Sequence, residues 1–182
     1  MTPAGYLAKN IRTEAGWLEN DVVEDIWSVS ACLSPAFCDF VPYWRHNGYW
    51  LFDSPAVIGE IAAEEGVDLS GMRMFYYEVH GEQFDCDAGT WSVFAREASL
   101  PTRVQIPARK QLEGFDVVSF AAQTAPECSP LSCNGLARDI AVNKHCLLAT
   151  LEEAKTLLET GCFKDCEPGP YRVFAIHTVT QV

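Results

Sequence analysis

A worn internal repeat constrains this chain more than any other feature. Asp25-Ile26-Trp27-Ser28-Val29 returns as Asp116-Val117-Val118-Ser119-Phe120, and Ser34-Pro35 with Cys38-Asp39 returns as Ser129-Pro130 with Cys133-Asn134. Asn47, Leu51 and Ser54 return as Asn143, Leu147 and Thr150, and Arg73-Met74-Phe75 returns as Arg172-Val173-Phe174. The order is constant while the offset drifts from 91 to 99, as small insertions produce. A unit too short to bury its own apolar face must share a core with its copy. The expectation is therefore one pseudo-symmetric domain over all 182 residues.

Each copy reads as strand, loop, helix, strand, with repeat one over about residues 21–80 and repeat two over about 115–179. The opening strands are expected at Val22–Ala31 and Phe115–Ala122, runs rich in β-branched and aromatic residues. Ser54 is a good helix N-cap with Pro55 after it and Gly66 as the stop. Thr150 and Glu153 have the spacing of a capping box, and Gly161 closes that helix. Val57, Ile58, Ile61 and Ala62 in one helix, and Ala154, Leu157 and Leu158 in the other, give each a buried stripe. The closing strands are Arg73–Val79 and Tyr171–Val179. Residues before Asp21 predict a short helix or arm, with Trp17 and Leu18 packing back on the core.

Between the copies, Thr90–Ala95 and Arg103–Ile106 are strand-like and predict a β-hairpin inserted over about 84–110. The order β-α-β-β-α-β then gives the expected fold class. It is α+β: two tandem β-loop-α-β repeats in a pseudo-symmetric ferredoxin-like antiparallel sheet, with helices on one face and the inserted hairpin.

Charge narrows the partners. Twenty-five acidic residues against 13 basic ones give a formal net charge of −12, which argues against nucleic acid or an anionic membrane surface. The N-terminus lacks the basic and long apolar regions of a secretion signal, so the expected compartment is the cytoplasm. Eight cysteines are then expected as reduced thiols rather than disulfides.

Candidate chemistry centres on the loops. Ser34 and Cys38 in the first Ser-Pro loop, and Ser129, Cys133, Asn134 and Asn143 in the second copy, would form a binding site if the loops met at a pseudo-twofold axis. Ser-Pro starts turns and Asp or Asn caps them, so shared turn geometry explains the same residues. Tyr43, Trp44, His46, Asn47 and Trp50 belong to a stretch with five aromatic rings in ten residues, which copy two lacks around Asn143. Such rings combine apolar area with a polar handle and suit a ligand or partner surface.

Cys133 is also a candidate nucleophile, since Leu136-Ala137-Arg138 predicts a helix start beside it and His145 offers a base that Asn143 or Glu127 would orient. Metal binding is not expected. Cys128, Cys133, His145 and Cys146 offer soft and imidazole donors within twenty residues, but no Cys-x-x-Cys pair occurs, and adjacent His145 and Cys146 would point to opposite sides of a strand. No cofactor is expected either, because the phosphate-cradling glycine motifs are missing.

These observations favour a non-enzymatic module that binds a small molecule or a protein, with homodimerisation through an exposed edge or aromatic patch as an option. The alternatives are an acidic inhibitor of a basic partner and a cysteine-dependent enzyme using Cys133 with His145.

Overall fold

The computed structural model describes residues 1–30, 32–37, 47–94, 103–120 and 126–179. Five strands form one antiparallel sheet: β1 (Thr2–Lys9), β2 (Arg73–Asp85), β3 (Thr90–Val93), β4 (Lys110–Ser119) and β5 (Tyr171–Val179). Their order is β1-β2-β5-β4, with β3 paired to β2. Helix α1 (Pro55–Glu65) precedes β2, and helix α2 (Leu151–Glu159) precedes β5. The class is α+β.

Both helices begin where their signals lie. Ser54 Oγ accepts from the Val57 N–H at 3.3 Å, and Gly66 closes α1 in the left-handed region with φ 69°. Thr150 and Glu153 make both bonds of the capping box on α2. Ile58 and Ala62 join one apolar core with Tyr6, Phe75 and Phe174; Ala154 and Leu158 join a second with Phe115, Val117 and Tyr171.

The opening strand of the first half is Thr2–Lys9, not Val22–Ala31. Over its described residues that later run is irregular, with a single bridge, Ile26 to Arg12, and side-chain contacts that fix the rest. Asp25 Oδ1 lies 2.5 Å from His145 Nδ1, and the Trp27 ring stacks on the His145 ring at 3.4 Å between centroids. The Ser28 hydroxyl and the Val29 N–H both donate to Asp116 Oδ2, at 2.6 and 3.1 Å. Trp27 also packs 5.1 Å from Phe75 of β2, while the segment's backbone bonds lie outside the five strands, with the Ile26 N–H on the Arg12 carbonyl at 3.0 Å and the Trp27 N–H on the His145 carbonyl at 3.2 Å.

Beneath it sits Lys9, fully buried, whose Nζ donates to the carbonyls of Ser28 and Ser30. Asp116 is equally buried. Burial pushes its carboxyl pKa up, while hydrogen bonds from Ser129, Ser28 and Val29 and the nearby Lys9 charge pull it back.

The remaining corrections concern topology. In a ferredoxin-like sheet each β-α-β unit keeps its two strands parallel with another strand between them. Here α1 links β1 to its antiparallel neighbour β2, and α2 links β4 to its antiparallel neighbour β5, so the sheet is not of that type. The hairpin is made by β2 itself, which runs on to Asp85 and pairs Glu82–Asp85 with Val93–Thr90 of β3. Arg103–Ile106 is not a strand. The N–H groups of Arg103 and Gln105 donate to the Asp53 side chain and carbonyl at 2.8 and 2.9 Å, and the Gln105 carbonyl accepts from the Tyr6 hydroxyl at 2.8 Å. The element expected before Asp21 is one 3-10 turn, Gly16–Leu18, with Leu18 buried and Trp17 Nε1 donating to the Ser132 carbonyl at 3.0 Å.

One local geometry occurs twice, once against each outer strand. Gly5 of β1 and Gly114 of β4 have φ of 131° and 154° and sit at matching bulges. Asn47 and Asn143 donate from Nδ2 to the carbonyls of Ala4 and Glu113, each at 2.7 Å. Their N–H groups donate to Leu51 and Leu147 carbonyls at 3.0 and 2.9 Å, around left-handed Trp50 and Cys146. Tyr6 then bridges to Phe52, and Phe115 to Leu148. These short segments cover the free hydrogen-bonding groups that an edge strand would otherwise present.

Candidate metal centre

The two Ser-Pro loops meet. Asp116 ties them together, accepting from the Ser28 hydroxyl ahead of the first loop at 2.6 Å and from the Ser129 hydroxyl of the second at 2.6 Å. The Ser30 hydroxyl reaches across to the Glu127 carbonyl at 2.5 Å. Cys32 follows Ser30 and is fixed by its own N–H donating to Ser30 Oγ at 3.1 Å. Cys128 stands next to Ser129, and the turn that begins there closes with the Cys133 N–H on the Ser129 carbonyl at 2.8 Å. The Sγ atoms of Cys32, Cys128 and Cys133 consequently lie within 4.8 Å of one another.

Three thiols at this spacing cannot behave alike. Cys133 is the one whose pKa falls, to about 7, chiefly because the Cys128 thiol donates to it; the Cys32 thiol and the Ser129 backbone and Ser132 side chain add to this against burial. Cys128 is driven up, first by donating to Cys133 and then by burial. Cys32 is raised mainly by burial and by its hydrogen bond to Cys133. Of the three, Cys133 is thus the thiol that ionises most readily, with Cys32 and Cys128 as its donors. The helix expected to activate Cys133 is a single 3-10 turn at Leu136–Arg138, so the thiol neighbours and not a helix terminus lower its pKa.

Such a trio is a soft donor set. Thiolates on tetrahedral Zn²⁺ stand about 3.8 Å apart, given Zn–S bonds of about 2.3 Å. The observed limit of 4.8 Å leaves a contraction of at most about an ångström on binding. Access is graded, with Cys128 buried, Cys133 half-buried and Cys32 exposed, so the cluster opens to solvent on the Cys32 side.

The other candidates separate by role. Ser129 is a buried link to Asp116, and Ser34 is a buried link that donates to the Ile26 carbonyl at 3.2 Å and accepts the Arg12 N–H at 3.3 Å. Asn47 and Asn143 are edge latches, and Trp50 is half-buried at a left-handed corner against the core. Asn134 is exposed beside left-handed Gly135. Cys38, Tyr43, Trp44 and His46 lie outside the described residues.

Cys133 and His145 take different partners, the first among the thiols and the second with Asp25 and Trp27. Asn143 does touch His145, accepting its backbone N–H at 2.9 Å, whereas the ring is held by Asp25. Sequence reasoning paired Cys128 with Cys133 as metal donors but set them aside for lack of a ligand spacing, and it missed Cys32 and Asp25 as members of these clusters. Cys32 stands 96 positions before Cys128, so no local spacing could have joined them.

A second, open depression of about 610 Å³ lies at the end of the sheet between Thr13, Asp25, Arg73 and Met74. Its charged groups are turned to internal contacts, Asp25 to His145 and Arg73 over the Trp27 ring at 4.8 Å. The thiol junction therefore offers the more specific chemistry. No protein-family model, curated protein or solved structure matches the chain. Among the described residues, no helix is long and apolar enough to cross a membrane.

Proposed function

We propose that this protein is a non-enzymatic binding module whose ligand is a thiophilic divalent cation, Zn²⁺ in the first instance, held where the two Ser-Pro loops meet. The observation that carries this reading is the approach of the Cys32, Cys128 and Cys133 sulfurs to within 4.8 Å. Thiolate donors select Zn²⁺ over Mg²⁺ or Ca²⁺, which take oxygen ligands. A thiol that ionises near neutrality supports capture of the ion, and proton loss from the other two would follow.

The architecture behind the site is a pair of tandem β-loop-α-β halves with both helices on one face of the sheet. Support comes from the matched Gly5/Gly114 bulges and Asn47/Asn143 latches. The β2–β5 register supports it too, because the pairs Phe75–Thr178 and Val79–Phe174 exchange under a twofold axis normal to the sheet. In this arrangement the two loops come together because each half delivers its own.

Zn²⁺ titration against a chromophoric chelator tests the function. One equivalent per chain is expected, with Cys128→Ser or Cys133→Ser weakening binding roughly 100-fold or more, beyond the roughly 10–100-fold cost of a lost outer-shell partner. Binding that survives a Cys128→Ser/Cys133→Ser double variant would remove the proposal.

The low pKa of Cys133 favours a second reading, cysteine-dependent chemistry at the same junction. Zinc-loaded protein separates the two. If zinc shields Cys133 from iodoacetamide the thiol is a ligand, and if Cys133 stays fully reactive under saturating zinc the second reading prevails.

A further inference from the structure

We infer that the Arg172 guanidinium anchors a second ligand, a small organic acid held by a single carboxylate beside the Phe94 and Phe120 rings. The inference goes beyond the metal reading and does not rest on it.

Arg172 lies on β5, opposite Gln83 of β2 on one side and Val118 of β4 on the other. It is only 6% exposed. Its Nε donates to Gln83 Oε1 at 3.2 Å. Phe94 and Phe120 follow β3 and β4, and their ring centroids lie 3.5 and 4.0 Å from Arg172 Cζ. Aromatic carbon thus covers the flat faces of the guanidinium, which its weak hydration tolerates. The edge that carries Nη1 and Nη2 remains. Among the described residues no carboxylate pairs with that edge and no oxygen accepts from it. Neither nitrogen is among the unpartnered atoms sealed from solvent, so the edge is open.

A charge placed this deeply without a counter-ion is costly. Burial accordingly pushes the Arg172 pKa down to about 10, and the group still carries its charge at neutral pH. The scaffold does not demand this arrangement. Arg73 holds the corresponding place in the first half, where it lies over the Trp27 ring at 4.8 Å and is exposed to water. One repeat position therefore holds a hydrated arginine in one copy and a buried, unpaired one in the other.

The open edge selects the ligand. An in-plane fork of N–H donors matches a carboxylate, whose two oxygens accept side by side. One cation balances one negative charge, so a monocarboxylate suits the site better than a phosphate dianion. The walls are aromatic, with Tyr49 on Phe94 at 5.6 Å and Phe174 on Phe120 at 6.1 Å between centroids, so the acid carries an apolar body.

Phenylacetate is the probe, with phenylacetamide as its uncharged match and inorganic phosphate as the competing anion. Calorimetric titration of the full chain should give saturable binding of phenylacetate and none of the amide. Arg172→Met keeps length and apolar contact while deleting the charge, and should weaken binding at least roughly 10-fold, as loss of a charge-assisted bond does. Phenylacetate should raise the melting temperature of wild type and leave that of Arg172→Met unmoved. A cooperative melt in the same scan shows that the variant is folded. Should it not fold, Arg172→Lys carries the test, since it keeps the charge and loses only the fork, and its binding should also weaken.

No phenylacetate binding by wild type, equal binding of the amide, or binding retained in the variants would overturn the inference. Tighter binding of phosphate than of phenylacetate would overturn the monocarboxylate class. Arg172→Met leaves the three sulfurs untouched and should still take up one zinc, so either reading can fail without the other.

Discussion

Among the side chains of this protein, Cys133 has the most testable chemistry. Its thiolate is stabilised by sulfur donors, so it should ionise at about 7 against about 8.5 for a free cysteine. The sign follows directly: the deprotonated form reacts, so alkylation speeds up as pH rises through the folded pKa and then levels. In zinc-free protein, peptide mass spectrometry after timed iodoacetamide pulses should give Cys133 a midpoint near 7. Cys146, which burial pushes up to about 12, should stay unlabelled over the same range. A Cys133 midpoint near 8.5 would mean that the neighbouring thiols do not donate to it.

Residue type alone was a poor guide to such roles. Asn47 and Asn143 stood out as ligand candidates because they repeat, yet they repeat because each edge strand needs the same latch. Cys128 beside Cys133 lacked any metal-ligand spacing until Cys32 was brought against them.

At the scale of elements, local signals were read well where the physics is local. The caps of α1 and α2 depend on atoms within four residues, and Ser54, Gly66, Thr150 and Glu153 announced them. Tyr171–Val179 was legible for the same reason, as a run rich in β-branched and aromatic residues after Pro168-Gly169-Pro170. Strand Thr2–Lys9 was not legible, since its run is interrupted by Gly5 and ends in a lysine that only tertiary packing buries. Val22–Ala31 carries stronger strand propensity, but Trp27 and Asp25 are committed to His145 and Val29 to Asp116. Propensity yields to such contacts.

Glycine positions give a paired prediction. A Cβ at Gly114 would stand 2.7 Å from Leu147 Cβ and 2.8 Å from the Leu148 carbonyl, at a φ of 154°. Gly114→Ala should therefore cost about 2–4 kcal/mol, combining strain with overpacking. Gly59 in α1 meets nothing within 4 Å, so Gly59→Ala should stabilise by about 0.5–1 kcal/mol. Urea denaturation of both variants checks the contrast, and equal effects would show that the Gly114 bulge is not tight.

For the whole molecule, the expected signature is a linkage between metal, protons and stability. The two protonated thiols, Cys32 and Cys128, must release their protons to bind, so zinc affinity should fall steeply as pH falls. Calorimetry in buffers of different ionisation enthalpy should count between two and three protons released per zinc at pH 7, falling toward two as pH rises above the Cys133 pKa of about 7. Because the ligands come from segments far apart in sequence, zinc should also stabilise the fold, by about 4 kcal/mol at a thousandfold excess over Kd. A melting temperature indifferent to zinc and to its removal by chelator would contradict a site that joins those segments.

The order of helices and closing strands, the helix boundaries and the correspondence of Asn47, Leu51 and Ser54 with Asn143, Leu147 and Thr150 are written in the chain itself, since capping and amphipathic spacing act over a few residues. Folding in three dimensions chose the antiparallel pairing of β1 with β2 and β4 with β5, and it assembled the thiols. Sulfurs 96 positions apart become neighbours only when Asp116 draws both loops onto the sheet, a long-range contact that no local pattern encodes.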